Sequence, residues 1–331
     1  MLIAIVLLLG AAGLIYGACE FFVNGVEWFG RKAGVGQTAV GTVLAAFGTA
    51  LPESVVTLVA VAFGRDGASK DIGVGAALGG PLVLSTVAYA VVGLTTLAAR
   101  PGGSTAVTVN RERLGRDQFW FLLIFLCKMA LGLIAFAFKP LLGFAFLAVY
   151  ALYVWKEIGH EDDAEHEELE PLKLRPRDTD PASAWVVAQA GLALVVIFGA
   201  SQLFVRQLES VGPWLGIPAT VTALLLSPIA TELPETMNAI IWIRQGKQRL
   251  ALANISGAMM IQTTVPSAFG LFFTPWMFDA PLILSGAVTL ASISGLYLLL
   301  RRDALTARRL ALFGTLYGVF ALGLLILRMP G

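Results

Sequence analysis

Two short segments of this 331-residue chain each place a glutamate directly after a proline, inside an apolar stretch. The first segment reads GTALPES around Glu53, and the second reads ATELPET around Glu235. A carboxylate in such surroundings is costly and persists mainly where it lines a cavity or meets a cation. Each proline also lacks the N–H that would bond the carbonyl four residues earlier, on Gly48 and on Ala230. The two segments therefore predict a paired cation site.

Two hydroxyl groups add to this set of oxygen ligands. Thr49 and Thr231 lie one helical turn before the two glutamates. Carboxylate, hydroxyl and carbonyl oxygens suit Ca²⁺, which takes about six to eight oxygens at about 2.4 Å. The alternative is a proline kink whose glutamate is hydrogen-bonded to neighbouring helices, but its occurrence in two copies favours a cation site. Glu53 and Glu235 are the predicted metal ligands, because two facing glutamates would neutralise one divalent cation.

The segments that carry these residues are typical of membrane helices. Hydrophobic residues make up 57% of the chain and charged residues 14%, against about a quarter charged in soluble domains. The charges cluster between apolar runs that can cross a hydrocarbon core of about 30 Å as helices, and these runs lack the period-two alternation of barrel strands. We predict an all-α polytopic membrane protein with ten transmembrane helices, the first of them retained rather than cleaved as a signal peptide. The runs are 1–19, 36–64, 71–99, 118–137, 140–156, 184–206, 217–243, 249–274, 281–300 and 308–328.

The basic residues predict how these helices are oriented. With ten crossings, seventeen Lys and Arg residues fall on one side of the membrane and five on the other, and Lys128 lies within a helix. The more basic side is normally cytoplasmic. We therefore expect both termini outside an integral plasma (inner) membrane protein, with its long acidic linker in the cytoplasm.

An internal repeat divides the chain into two halves. A shift of 182 residues aligns 16–35 with 198–217 and continues without gaps into the two LPE segments. Repeats of this length indicate duplicated structural units. The predicted organisation is a first five-helix repeat at 1–158, a linker at 159–183 and a second repeat at 184–331. Because five is odd, the second repeat must be inverted, which is the architecture of secondary transporters.

The linker carries both histidines of the chain, His160 and His166. We interpret it as a solvated connection, with a cation-sensing segment as the alternative; it lacks the ligand spacing of a calcium loop. The two cysteines, Cys19 and Cys127, fall in or beside apolar runs and are predicted to be packing residues rather than a disulfide.

The sequences GTVLAAFGTALPESVVTLVA (41–60) and ALLLSPIATELPETMNAIIW (223–242) resemble the two α-repeats of the sodium/calcium exchanger, or cation/Ca²⁺ antiporter, superfamily, whose signature is near G-T-S-L-P-E. The resemblance implies a ten-helix inverted-repeat fold with the amino terminus outside. It also implies exchange of Ca²⁺ against Na⁺ or H⁺. Glu53 and Glu235 match the paired calcium-binding glutamates of the family, and Thr49 and Thr231 match its flanking threonines.

The chain departs from that pattern at several ligand positions. The serine that follows each threonine in sodium-coupled members is replaced by Ala50 and Glu232. Among the next ligand positions only Gln262 keeps a polar side chain, since the others are Gly80, Leu84 and Ala258. Several Na⁺ sites are therefore predicted to be incomplete. Protons need only a carboxylate for which protonation and metal binding compete, and Glu232 is a candidate for that role; the alternative is a capping or water-facing residue.

Three other charged residues lie in or beside apolar runs. Lys128 could act as an internal counter-charge to the third glutamate, or its side chain could extend to the nearby membrane interface. Glu20 and Glu27 lie near the end of the first helix. We interpret both as interfacial residues, with a cytoplasmic entrance to the ion path as the alternative.

These features predict a secondary active antiporter rather than an enzyme. It would move Ca²⁺ or a similar divalent cation against H⁺ or Na⁺ by alternating access. A cation channel or uniporter that uses the same carboxylates is the alternative, although selectivity filters usually arise by assembly of identical subunits. An intramembrane metalloenzyme would need histidine or cysteine near the glutamates. The predicted partners are the lipid bilayer and inorganic cations, with no cofactor, nucleic acid or protein partner.

Overall fold

The computed structural model describes residues 2–64, 67–99, 106–158, 169–214 and 225–328. These residues are helical apart from their connections and one isolated bridge, Ala106 to Thr306. We number the helical segments α1 to α10 and count an interrupted helix as one. They are α1 Leu2–Ala33, α2 37–63, α3 67–99, α4 Arg111–Leu133, α5 Leu142–Ile158, α6 Ser183–Trp214, α7 with pieces Ser227–Thr231 and Leu233–Arg244, α8 Gln248–Phe273, α9 Ala280–Arg301, and α10 307–328.

The first helix is longer than the apolar run predicted for it. It continues from residue 19 to Ala33, because Phe22, Val26 and Trp28 keep one face of the extension buried. This lengthened α1 packs along α6. The fourth helix begins at Arg111 rather than 118, since the Asn110 side chain accepts a hydrogen bond from the Arg113 N–H at 3.1 Å and caps it.

Four interrupted or polar helices form the centre of the molecule. Helix α8 contacts α2, α3 and α7, and both pieces of α7 contact α3. Around this group, α5 packs on α8 and α10 packs on α3, while α4 packs on α9. Nearly every residue of α8 is buried, including Asn254, Ser256 and Gln262. The polar side chains that α8 carries are therefore enclosed by other helices.

Six of the described helices are long and apolar enough to cross a membrane, and the bent α2 would be a seventh. The sequence predicts ten. Helix α4 carries Arg116, Asp117 and Lys128, α8 carries buried polar residues, and α7 is described as two short pieces. Part of the predicted seventh run, residues 217–224, lies outside the described residues.

The described end of the linker is mostly exposed, as expected for a solvated connection, but one short part of it is attached to α1 and α6. Leu172 is buried with Trp28 and Val186. The Trp28 indole donates to the Glu170 carbonyl at 2.9 Å, and the Asn24 amide donates to the same carbonyl at 3.3 Å. Residues 169–174 therefore form a strap across the two helices. His160 and His166 lie outside the described residues.

Candidate cation site

Both LPE segments coincide with an interruption of a helix. Helix α2 bends by 46° between Val40–Leu51 and Glu53–Phe63. Helix α7 breaks at Glu232, between Ser227–Thr231 and Leu233–Arg244. Because a proline cannot donate to the carbonyl four residues earlier, each break follows from the proline that precedes its glutamate.

Three carboxylates converge where these two helices meet. Glu53, Glu232 and Glu235 are close enough for their charges to repel one another. Glu235 is fully buried, and neither of its carboxylate oxygens has a hydrogen-bond partner. Oε2 of Glu53 is likewise buried without a partner. Buried polar atoms are normally hydrogen-bonded, so these oxygens can accept a proton or a cation.

Glu232 differs from the other two because a side chain on α8 holds it. Nε2 of Gln262 donates to Oε1 of Glu232 at 2.9 Å and to Oε2 at 2.8 Å. Glu232 is 1% exposed, so the water-facing alternative is wrong, and its side chain makes no capping hydrogen bond to α7. Sequence reasoning proposed Glu232 and Gln262 separately, and the structure brings them together.

A glycine on α3 explains how this pair fits. A Cβ built on Gly80 would lie 2.7 Å from Oε1 of Glu232 and in closer contact with Oε1 of Gln262. The Glu232 and Gln262 side chains therefore fill the space that a side chain at position 80 would occupy. Two of the departures from the exchanger pattern, Gly80 and Glu232, are thus sterically linked.

The two threonines lie beside the carboxylates with their hydroxyl protons already donated. Oγ1 of Thr49 donates to the Ala45 carbonyl at 3.1 Å, and Oγ1 of Thr231 donates to the Pro228 carbonyl at 3.1 Å. Thr49 also neighbours the Glu235 carboxylate. A hydroxyl that donates backward along its helix keeps its lone pairs as acceptors. Both threonines can therefore offer oxygen to a cation without losing a hydrogen bond.

The backbone positions predicted to supply carbonyl oxygens lie at the two breaks. Gly48 faces α1, and a Cβ built there would lie 2.7 Å from Cζ of Phe22. Ala230 is 1% exposed. No three His, Cys, Asp or Glu side chains in the described ranges are arranged as a metal centre. A cation held by Glu53 and Glu235 would therefore need hydroxyl or carbonyl oxygens to complete its coordination.

Two asparagines beside the site were missed by the sequence reasoning. Nδ2 of Asn254, on α8, donates to the Glu235 carbonyl at 3.3 Å, while its Oδ1 has no partner. Both polar atoms of the Asn238 side chain, one turn after Glu235 on α7, are buried without a partner. The sequence did contain a signal for both asparagines, because polar side chains within apolar runs are costly and indicate a functional site.

Both sequence-based interpretations of Lys128 need correction. Its side chain is fully buried, so it does not extend to the membrane interface. Its ammonium donates to the Ala77 carbonyl at 2.6 Å and makes no ion pair with a carboxylate of the described chain, Glu232 included. A direct counter-charge contact is therefore not formed.

Glu27 is more buried than an interfacial residue. It is 8% exposed, and it accepts hydrogen bonds from the Trp242 indole at 2.7 Å and from the Lys247 ammonium at 2.5 Å. It thereby connects α1 to the end of α7. Glu20 is partly exposed, and its Oε2 lies 3.7 Å from the Lys173 ammonium.

The chain is similar to curated antiporter-like and membrane proteins over most of its length. It is 27% identical over 288 residues to the putative antiporter CaxA of Alkalimonas amylolytica, covering 85% of this chain and 84% of that protein. It is also 27% identical over 291 residues to the inner membrane protein YrbG of Escherichia coli strain K12, covering 84% and 82%.

The fold is similar to that of the sodium-calcium exchanger NCX_Mj. One structure of that protein, soaked with 10 mM Na⁺ and zero Ca²⁺, aligns with a TM-score of 0.75 at 19% identity and covers 100% of both chains. The family model described as sodium/calcium exchanger protein matches residues 3–158 and 185–327. With both of its halves matched, the chain is an integral membrane transporter that belongs to the sodium/calcium exchanger protein family.

Proposed function

We propose that the chain is a secondary active antiporter that exchanges Ca²⁺, or a similar divalent cation, for H⁺ or Na⁺. The observation that carries this proposal is the pair Glu53 and Glu235 at two adjacent helix breaks, where Oε2 of Glu53 and both carboxylate oxygens of Glu235 are buried without a hydrogen-bond partner. Two ionised carboxylates would neutralise one divalent cation. In apolar surroundings, such charge balance decides whether an ion is bound.

The surrounding oxygens support a hard divalent cation as the transported ion. We propose that Thr49 and Thr231 add hydroxyl oxygens and that Gly48 and Ala230 add carbonyl oxygens released by the two prolines. Oxygen ligands from carboxylates, hydroxyls and carbonyls are those that Ca²⁺ prefers, and its coordination tolerates irregular geometry better than that of Mg²⁺. Neither sulfur nor imidazole is part of this proposed set.

The chemistry of the second half favours H⁺ as the coupling ion over Na⁺. Gln262 donates to both oxygens of Glu232, and Gly80 beside them has no side chain that could supply an oxygen ligand. A Na⁺ ion would therefore find fewer oxygen ligands here. A proton needs only one carboxylate oxygen of Glu53 or Glu235, where it would compete with the divalent cation.

We further propose that the chain crosses the membrane ten times, as two inverted repeats at 1–158 and 184–331. Both termini would lie outside the inner membrane, and the acidic linker at 159–183 would be cytoplasmic. The clustered basic residues support this orientation. Single cysteines placed at the amino terminus and in the linker should react with an impermeant maleimide from opposite sides of the membrane; reaction from the same side would contradict the topology.

The function is tested by calcium-45 uptake into proteoliposomes that hold an outward gradient of H⁺ or of Na⁺. We expect uptake against the calcium gradient with at least one of the two counter-ions, and loss of that uptake in Glu53→Gln and Glu235→Gln. No uptake under either gradient, for Ca²⁺, Mn²⁺ or Mg²⁺, would rule the antiporter out. Flux that runs only down the calcium gradient and ignores the counter-ion would indicate a channel or uniporter.

A further inference from the structure

Lys128 is fully buried on α4 and makes no ion pair with the described chain. Its ammonium donates to the Ala77 carbonyl on α3 at 2.6 Å. The ammonium also lies 5.2 Å from the ring centre of Phe125 and 6.0 Å from that of Trp276, within the range of cation–π attraction. A buried ionisable group within a membrane helix indicates a functional role.

The carbonyl that binds Lys128 is free because of a proline. Pro81 lies within α3, and it cannot donate to the carbonyl of residue 77, four positions earlier. An unpaired carbonyl in a dry interior must find another donor. The Lys128 ammonium is that donor. Lys128 on α4 therefore satisfies a carbonyl on α3 that lacks a backbone donor because of Pro81.

The same turn of α3 forms a wall of the candidate cation site. Gly80 directly precedes Pro81, and its Cα faces the Glu232 carboxylate and the Gln262 amide. Ala77 lies about one helical turn before Gly80. A movement of this turn would therefore change the space available to Glu232.

We infer that Lys128 is a positioning residue of the cation site, whose side-chain nitrogen donates to the carbonyl that Pro81 leaves free. It fixes the α3 turn that carries Gly80. This inference rests on the proposed divalent-cation function.

Chemical rescue tests the role of the ammonium. Lys128→Ala should reduce calcium-45 uptake about tenfold or more, the loss expected for a hydrogen bond from a charged group. Methylammonium can enter the space that the shortened side chain leaves, and it should restore uptake several-fold. Lys70→Ala is the matched control, because Lys70 also donates to a carbonyl, that of Phe273 at 3.3 Å, but at an exposed position; its uptake should stay unchanged with and without methylammonium.

A second pair of variants tests the link to the proline through thermal stability. Pro81→Ala supplies a backbone N–H to the Ala77 carbonyl, and in a Lys128→Met background this N–H should replace the missing ammonium. We expect Pro81→Ala to raise the melting temperature more in Lys128→Met than in the wild type. Equal increments would show that the two residues are not coupled and would overturn the inference.

The outcomes separate this inference from the proposed function. If the wild type takes up no divalent cation, the proposed function fails, whereas the stability coupling between Lys128 and Pro81 remains measurable. If the wild type transports but Lys128→Ala is as active as Lys70→Ala, the inference fails and the function stands. The inference also fails, and the function still stands, if methylammonium restores nothing to a folded Lys128→Ala protein.

Discussion

Substitution of Gly80 by alanine is the smallest change that tests the geometry of the site. The added Cβ would lie 2.7 Å from Oε1 of Glu232 and closer still to Oε1 of Gln262. Carbon–oxygen contacts in proteins are ordinarily about 3.3 Å or longer. The Glu232 and Gln262 side chains would therefore have to move by about half an ångström or more, which weakens the two hydrogen bonds between them.

The size of the effect can be worked out from two opposing terms. Overpacking of a close-packed interior costs about 1–3 kcal/mol. Replacing glycine by alanine within a helix contributes up to about 1 kcal/mol of stability. The helix term acts on the free and the cation-bound protein alike and so changes stability but not affinity; since a factor of ten in affinity corresponds to about 1.4 kcal/mol, the overpacking term alone predicts that Gly80→Ala weakens divalent-cation binding by about 5-fold to 150-fold.

Gly75 provides the matched control on the same helix. A Cβ built there meets no atom within 4 Å, so Gly75→Ala should keep the helix-stabilising term without the clash. Calcium affinity would be measured by isothermal titration, and stability by thermal unfolding, for both variants and the wild type. If Gly80→Ala bound calcium as tightly as Gly75→Ala did, the proposed contact between α3 and the Glu232–Gln262 pair would be refuted.

Three further predictions concern the carboxylates, the strap and a surface ion pair. Glu53→Gln and Glu235→Gln should each weaken calcium binding at least about tenfold by titration calorimetry, because half of the neutralising charge is lost; unchanged affinity would exclude that residue as a ligand. Leu172→Ala should lower thermal stability by about 2–5 kcal/mol, since its buried side chain leaves a cavity, and a change below about 0.5 kcal/mol, as at an exposed site, would contradict the strap. The hydrogen bond and charge of Lys32 lower the pKa of Asp180. The ion pair therefore stabilises the folded protein slightly above the ordinary pKa of aspartate, and this stabilisation is lost as the pH falls through the lowered pKa. Lys32→Gln should lower the melting temperature slightly at neutral pH and leave it unchanged in strong acid.

Much of the candidate site could be predicted from sequence because its signals are local. A proline next to a glutamate in an apolar run predicts both the helix break and the ligand, and the repeat predicts that there are two of them. Glu53 and Glu235 were predicted as cation ligands in this way, as were the threonines one turn before them. The family assignment rests on the same segments and is confirmed by the match over both halves of the chain.

The polar partners of the site could not be predicted in the same way. Gln262 reaches Glu232 across 30 residues, and Lys128 reaches the Ala77 carbonyl across 51. Which of several nearby polar groups meet depends on the rotation and offset of whole helices, and hydrophobic patterning sets these only loosely in a helix that is apolar all round. Asn254 was overlooked for the same reason.

The sequence alone determined the class of this protein and predicted a candidate cation site, because lipid permits few backbone solutions and penalises every unpaired carboxylate. Tertiary structure decided what those groups touch. It placed the Glu232 side chain against Gln262 rather than in a capping hydrogen bond, Lys128 on a carbonyl rather than at the interface, and Leu172 of the strap against α1 and α6 rather than in solvent. These contacts join residues far apart in the chain, so only the packed helices bring them together.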